Sequence, residues 1–448
     1  MLSNINALEE LPCQIARGRR TEKIGDHQSN RARCPESHGF ISSCPIRIAR
    51  RLVRLVCEPD HMPVLRSNVT FGGGRRLNSI DIANASSANG TSGCRSIRNG
   101  EGMTGSSVAK QLVDAIIANL PEPAPGLRPV HTMGVGVDGY FMASDVARNY
   151  CIAEHFRGHR VEVSVRFSNG FGGPKQHDGW SDVRGMATRF HLQGGVKDGP
   201  ATDLIATTLG EFFARNVEDF FEFTKIARQH PVQRESPWRK ILDMLQLKEP
   251  VRDPYPKETT NTDAGALSYA NRYRFAQLAV FEAAQIGAPV SYTRATYHAI
   301  HTFMVEDPHG VRRPVRFSWQ PVAGVRTTDP TATPVDKYLR HELEERLRRW
   351  PARFMLMMTI GEAGDALDDP TKPWSARRVR VVMGTLTLTN LAKDQVADGE
   401  RISFNPWRLV PGIEPSGDPI LHARRCAYEV SREMRGGCPF IRSQADAK

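Results

Sequence analysis

Beyond residue 103 the chain moves between two hydrophobic rhythms. HRVEVSVRFSNG (159–170) sets valines at every second position and ends in Asn-Gly, the pattern of a strand with one buried face. VRGMATRFHLQGG (183–195), GVRRPVRFSWQPVAG (310–324), RFMLMMTIGEAG (353–364) and SARRVRVVMGTLTLTN (375–390) predict further strands. Helical spacing predicts helices over SSVAKQLVDAIIANLP (106–121), VEDFFEFTKIARQH (217–230), YRFAQLAVFEAAQIG (273–287) and PVDKYLRHELEERLRRW (334–350). Strands that leave and return through turns predict an antiparallel sheet closed as a β-barrel, and the helices gather at 210–285 and beyond 420. The predicted class is therefore α+β, with an antiparallel β-barrel core and flanking helices.

Residues 1–102 show neither rhythm. The stretch QIARGRRTEKIGDHQSNRARCPESHG lacks sustained periodicity, and VTFGGGRRLNSIDIANASSANGTSG is polar and glycine-rich. This segment reads as a mostly disordered N-terminal extension, with 103–448 as the folded domain and Met103 as an alternative start. A presequence of mitochondrial type is opposed by Glu9, Glu10, Glu22 and Asp26.

The net charge of +11 raises nucleic-acid binding, but the arginines are spread along the whole chain and no zinc-finger spacing occurs. No nucleic-acid partner is expected. No apolar run reaches the length of a membrane span and no secretory signal is visible, so the expected location is cytoplasmic, away from membranes. Eight cysteines form no C-x-x-C pair, and five precede residue 95. Free thiols in a reducing compartment are the simpler reading.

Several short stretches carry candidate chemistry. Gly134, Gly136 and Gly139 have G-x-G-x-x-G spacing, yet no buried strand precedes them and no alanine-rich helix follows. The glycines are better read as letting the backbone pass close to something flat or to another strand. His131, just before them, is either a structural histidine or a general acid/base at a strand edge. Arg166 and Ser168 share one side of a strand, as an outward polar face or as an anion-holding arginine beside a base-orienting serine. TDLIATTLGEFFARNVEDFFEF (202–223) carries five phenylalanines after two threonines, and reads as an apolar core helix or the wall of a flat cofactor site. In ILHARRCAYEVSREMR (420–435), Arg424, Tyr428 and Arg435 share one helical face.

Taken in order, these stretches resemble the haem catalase superfamily, in particular its shorter, catalase-related peroxidase branch. RPVHTMGVGVDGYF is similar to the family's distal-histidine segment, and VRFSNG with DVRGMATRFHL to the paired strands behind it. TDLIATTLGEFFARNVEDF is similar to the segment with the distal asparagine and the phenylalanine wall, and HTFMV to a His-Thr-Phe strand. FNPWRLVPGIEPSGDPILHARRCAY resembles the run into the proximal tyrosine.

The resemblance implies a haem b cofactor, with Tyr428 as the iron ligand and Arg424 favouring its ionised form. It implies propionate partners in Arg128, Arg166 and Arg435, with Val130 packed over the haem and Phe220 stacked on a pyrrole. His131 becomes the distal acid/base, with Ser168 bonded to it. The implied activity is hydrogen peroxide decomposition, by dismutation or with an organic electron donor. A homo-oligomer is compatible with it, and the alternative is a non-enzymatic haem-binding or haem-sensing protein. The sequence departs from the family at Thr207, which stands where the distal asparagine is expected, and at Val430 and Cys426, where an aspartate and a phenylalanine are expected. A threonine offers one rotatable donor where an amide offers a fixed fork, which weighs against rapid dismutation.

Overall fold

The computed structural model describes residues 105–436 apart from 121–125, 171–175, 194–198, 228–231, 234–236, 247–258, 261–262 and 330–333. The N-terminal extension expected over 1–102 lies outside the described residues.

Eight strands form the barrel: β1 (Gly134–Ala143), β2 (Arg160–Asn169), β3 (Arg184–His191), β4 (Ala201–Thr207), β5 (Tyr297–Glu306), β6 (Arg312–Pro321), β7 (Ala352–Ile360) and β8 (Arg380–Leu391). Each pairs antiparallel with the next in sequence, and β8 pairs with β1 to close the cylinder. The architecture is an up-and-down barrel, with no exposed edge between its first and last strands. A short strand, β9 (Ile413–Pro415), pairs with β5 beyond the point where β5 meets β4.

Alternation explains the core. Val161, Val163, Val165 and Phe167 of β2 point inward, as do Val135, Val137 and Phe141 of β1. They meet Phe190, Trp319 and Phe354 from other strands. Gly139 lies at a bulge in the β1–β8 ladder, where a Cβ would sit 2.2 Å from the Thr387 carbonyl oxygen. The glycine-spaced stretch is thus strand β1, and its glycines admit neighbouring backbone.

Helices flank this core. α1 (Gly105–Ile117) packs on the last helix, α7 (Pro419–Met434). The long β4–β5 connection carries α2 (Val217–Ile226), α3 (Pro237–Leu245), α4 (Gly265–Arg272) and α5 (Gln277–Gln285), and α6 (Tyr338–Arg349) lies between β6 and β7. A second core forms around Leu267, Tyr269 and Val280 with Phe213 and Phe223 against it. The 202–223 stretch is therefore not one helix: it is a strand, a turn of phenylalanines, and α2 started by Asn216, whose side chain accepts from the Asp219 N–H. No helix among the described residues is long and apolar enough to cross a membrane.

Candidate active site

Four strands set one side of the site on the outer face of the barrel. Gly134, Ser168, Gly185 and Thr207 are in register across β1 to β4, so they face the same way. His131 precedes β1 with φ of 54°, in the left-handed region that a non-glycine residue enters at a cost. Its N–H donates to the Gly170 carbonyl at 3.2 Å and its carbonyl accepts from Arg166 Nη1 at 3.0 Å. Its Nδ1 lies 3.0 Å from Ser168 Oγ. Gly185 leaves room for this pair, since a Cβ there would lie 2.7 Å from Ser168 Oγ and 2.8 Å from His131 Nδ1. Burial pushes the His131 imidazole pKa down to about 4; Asp182 opposes this, while Arg166 and Arg424 add to it. The ring is therefore neutral near pH 7. The Thr207 hydroxyl, at the end of β4, donates to the Leu209 carbonyl at 3.3 Å.

The other side is carried by α7. Asp418 caps it, accepting from the Ile420 N–H at 2.8 Å through Oδ1, with Pro419 in the first turn. Asp418 Oδ2 lies 2.6 Å from Nδ1 of His301, a buried residue of β5. Arg424 Nη1 lies 2.7 Å from His301 Nε2, and Arg424 Nη2 donates to the Tyr428 hydroxyl oxygen at 2.6 Å. A guanidinium has no acceptor, so His301 Nε2 must accept and its proton sits on Nδ1, donated to Asp418. Burial lowers the His301 pKa to about 4, in keeping with a neutral ring. Asp418, His301, Arg424 and Tyr428 thus form one continuous polar chain.

Between the two sides lies a cluster of arginines. Arg128 donates to the Glu400 carbonyl at 2.6 Å and to the Ile402 carbonyl; Arg435 donates to the Glu400 carbonyl at 3.0 Å. Arg166 donates to the Gly399 carbonyl at 2.6 Å and pairs with the Glu400 carboxylate at 3.2 Å, while Arg128 reaches it at 3.5 Å. The accepting carbonyls belong to or adjoin a π-helical segment, Gln395–Arg401, which crosses β1 at Gly136. Burial pulls Arg128 well below its ordinary pKa, and repulsion from Arg166 and Arg435 pulls further. The fields of the two sides overlap: Arg424 acts on His131, and Tyr428 on Arg128.

The catalase family model matches residues 111–251 and 269–442. The chain belongs to the catalase family. It is 32% identical over 338 residues to a catalase-related peroxidase of Mycolicibacterium paratuberculosis, an alignment spanning 75% of this chain and 97% of that protein. A catalase-related peroxidase of Synechococcus elongatus is 29% identical, over 69% of this chain and 84% of its own. Catalase-2 of Bacillus subtilis is 26% identical, over 71% of this chain and 47% of its own.

The catalase family implies haem, and the residues present fit it. Arg128, Arg166 and Arg435 converge on the Glu400 segment, burial disfavours the charge of Arg128 and Arg166, and Arg128 is further repelled by the other two, which suits a group with two carboxylates. Tyr428 presents its oxygen beside a guanidinium. Phe220, on α2, joins Phe212, Phe213 and Phe223 in an aromatic wall, and α2 packs on α7. Val130, beside His131, is an apolar side chain left 40% exposed.

Three contributors escaped the sequence reading. His301 stood in a recognised block but had no role there. Asp418 had a sign, since Asp-Pro before a helix marks an N-cap, but its bond to a residue 117 positions away had none. Glu400 sits in a π-helical turn that periodicity does not reveal. One expectation is corrected: Cys426 is disulfide-bonded, whereas Cys151 is a buried free thiol. Such pairing depends on proximity in space, and cysteine spacing alone does not show it.

Proposed function

We propose that this protein is a haem b enzyme that removes hydrogen peroxide, by dismutation, by oxidation of an organic electron donor, or by both. Tyr428 would hold the haem iron through its phenol oxygen, and His131 would serve as the acid/base on the opposite side of the site. When bound, haem supplies the two-electron redox chemistry that accompanies O–O cleavage. The chain's own residues handle the protons and charges. With its Nδ1–H donating to Ser168 Oγ, the neutral His131 ring has Nε2 as acceptor. Nε2 takes the proton from one peroxide oxygen and returns it to the other, which leaves as water. A second peroxide, giving up two electrons and two protons, becomes O2; an organic donor instead becomes its oxidised form, and a second water results. Arg424 donates to the Tyr428 oxygen and so orients it, and Arg128, Arg166 and Arg435 would hold the two propionates.

The observation that carries this reading is the 2.6 Å hydrogen bond from Arg424 to the Tyr428 oxygen in a chain of the catalase family. The names of the two similar catalase-related peroxidases favour the donor-oxidising branch. So does Thr207, whose hydroxyl is turned to the Leu209 carbonyl. Replacing Tyr428 by Phe removes the ionisable oxygen and leaves the ring. Haem content and the Soret band should both change, through loss of haem or exchange of the axial ligand. Full haem occupancy with an unaltered spectrum would overturn the assignment.

A further inference from the structure

Asp182 lies outside the roles described so far. It is 7% exposed, just ahead of β3, and its Oδ2 accepts the Gly170 N–H at 2.8 Å and Gln176 Nε2 at 2.5 Å. The fully buried Arg184 is 3.2 Å from the same oxygen. Gly170 is the residue whose carbonyl accepts the His131 N–H, at 3.2 Å. The fit at Gly170 is tight: a Cβ there would lie 2.6 Å from the Val183 carbonyl oxygen and 3.0 Å from Asp182 Oδ1. One peptide group thus joins the carboxylate to the strained backbone of His131.

We propose that Asp182 is a positioning residue for the distal histidine: it fixes the Gly170 peptide that holds His131 in its left-handed conformation, and its negative charge acts on the imidazole. This rests on the reading of His131 as the distal acid/base. A backbone held at φ of 54° returns toward ordinary values once its restraints are loosened, and the ring would then swing off Ser168. The charged groups facing His131 are Asp182 on the β2–β3 connection, Arg166 on β2 and Arg424 on α7. Asp182 is the anion among them. It opposes burial and the two cations, so its removal lowers the basicity of the ring.

The test uses the haem-loaded full chain. Asp182→Asn keeps an oxygen for Gly170 and removes the charge. Cyanide binding, read as a Soret shift, requires a base for the proton of HCN. Its acid limb should move down by about half a pH unit or more, and that of peroxide turnover with it. Asp182→Ala also removes the acceptor, and turnover at pH 7 should fall about tenfold or more with haem retained. If Asp182→Ala does not fold, because Arg184 loses its partner, Asp182→Asn decides alone. Asp307→Asn is the control: the buried Asp307 binds the Val311 N–H and Arg313, away from His131, so its loss should lower Tm without moving either limb. Coincident limbs for Asp182→Asn and wild type would overturn the proposal. If His131→Ala keeps full turnover, the distal reading itself fails; if it is inactive while Asp182→Asn is unchanged, only the role of Asp182 fails.

Discussion

Gly185 lies directly beneath His131: a single methyl on its Cα would come within 2.8 Å of the histidine Nδ1. The His131–Ser168 pair therefore exists because β3 carries no side chain at that position. Gly185→Ala should leave the barrel folded, since the strand tolerates alanine, and push the His131 ring outward. A displacement of about 1 Å can cost about 100-fold in rate. Steady-state peroxide consumption per haem is the measurement, with the Soret band as the check that the cofactor is still held.

At Thr207, on the proposed assignment, the expectation runs the other way. Thr207→Asn restores an amide fork at the end of β4, in register with Gly185. Oxygen evolution per haem should rise about tenfold, the effect of roughly 1–2 kcal/mol from one fixed hydrogen bond. His131→Ala, in contrast, should lower turnover by about 10²–10⁴-fold with haem still bound.

Acid should destabilise the fold. Burial pushes His131, His298 and His301 to about 4 and His155 to about 3, all below the unfolded value of 6.5. Between that value and the folded ones, the unfolded chain binds protons that the folded chain does not, so stability falls as pH falls from about 6.5 toward 4. Asp203, raised by burial to about 6, acts with the opposite sign below that pH and offsets part of the loss. Thermal melts from pH 7 to pH 5 should show Tm dropping. His155→Phe should flatten that slope, because His155 packs among Phe156 and Phe190 with its Nδ1 unpaired.

We propose that residues 103–448 form the functional domain. A chain starting at Met103 should express, take up haem and retain its activity, because the family match begins at residue 111. Soluble yield and haem content compared with the full chain are the measurements, and loss of both would reject the boundary.

Much of this was legible in the sequence, though unevenly. Strands β2, β3, β6, β7 and β8 announce themselves by alternation or β-rich runs, as Val161, Val163 and Val165 show. β1 hides behind glycines of low strand propensity, and β4 merges with the phenylalanines that follow it. β5 is buried on both faces from Ala299 to Phe303, so it has no alternation to read. Arg166 and Ser168 were visible as a pair two apart, but one carbonyl that Arg166 binds, that of Gly399, comes from a π-helical turn more than 200 residues later. The tautomer of His301 follows from the donor chemistry of Arg424, and only folding brings those residues together.

The meander order of the barrel has a consequence for how the protein is made. The residues assigned to the distal face lie between 128 and 207 and leave the ribosome early. The tyrosine lies on the last described helix, after all eight strands. Closure of the cylinder waits for β8 to find β1, some 250 residues behind it. On the proposed assignment, the strands that carry the acid/base side are made first, and the oxygen meant for the iron follows only after all eight strands. A chain that stops between β8 and α7 would, on that assignment, have all eight strands and no oxygen for the metal, so cofactor capture would follow barrel closure.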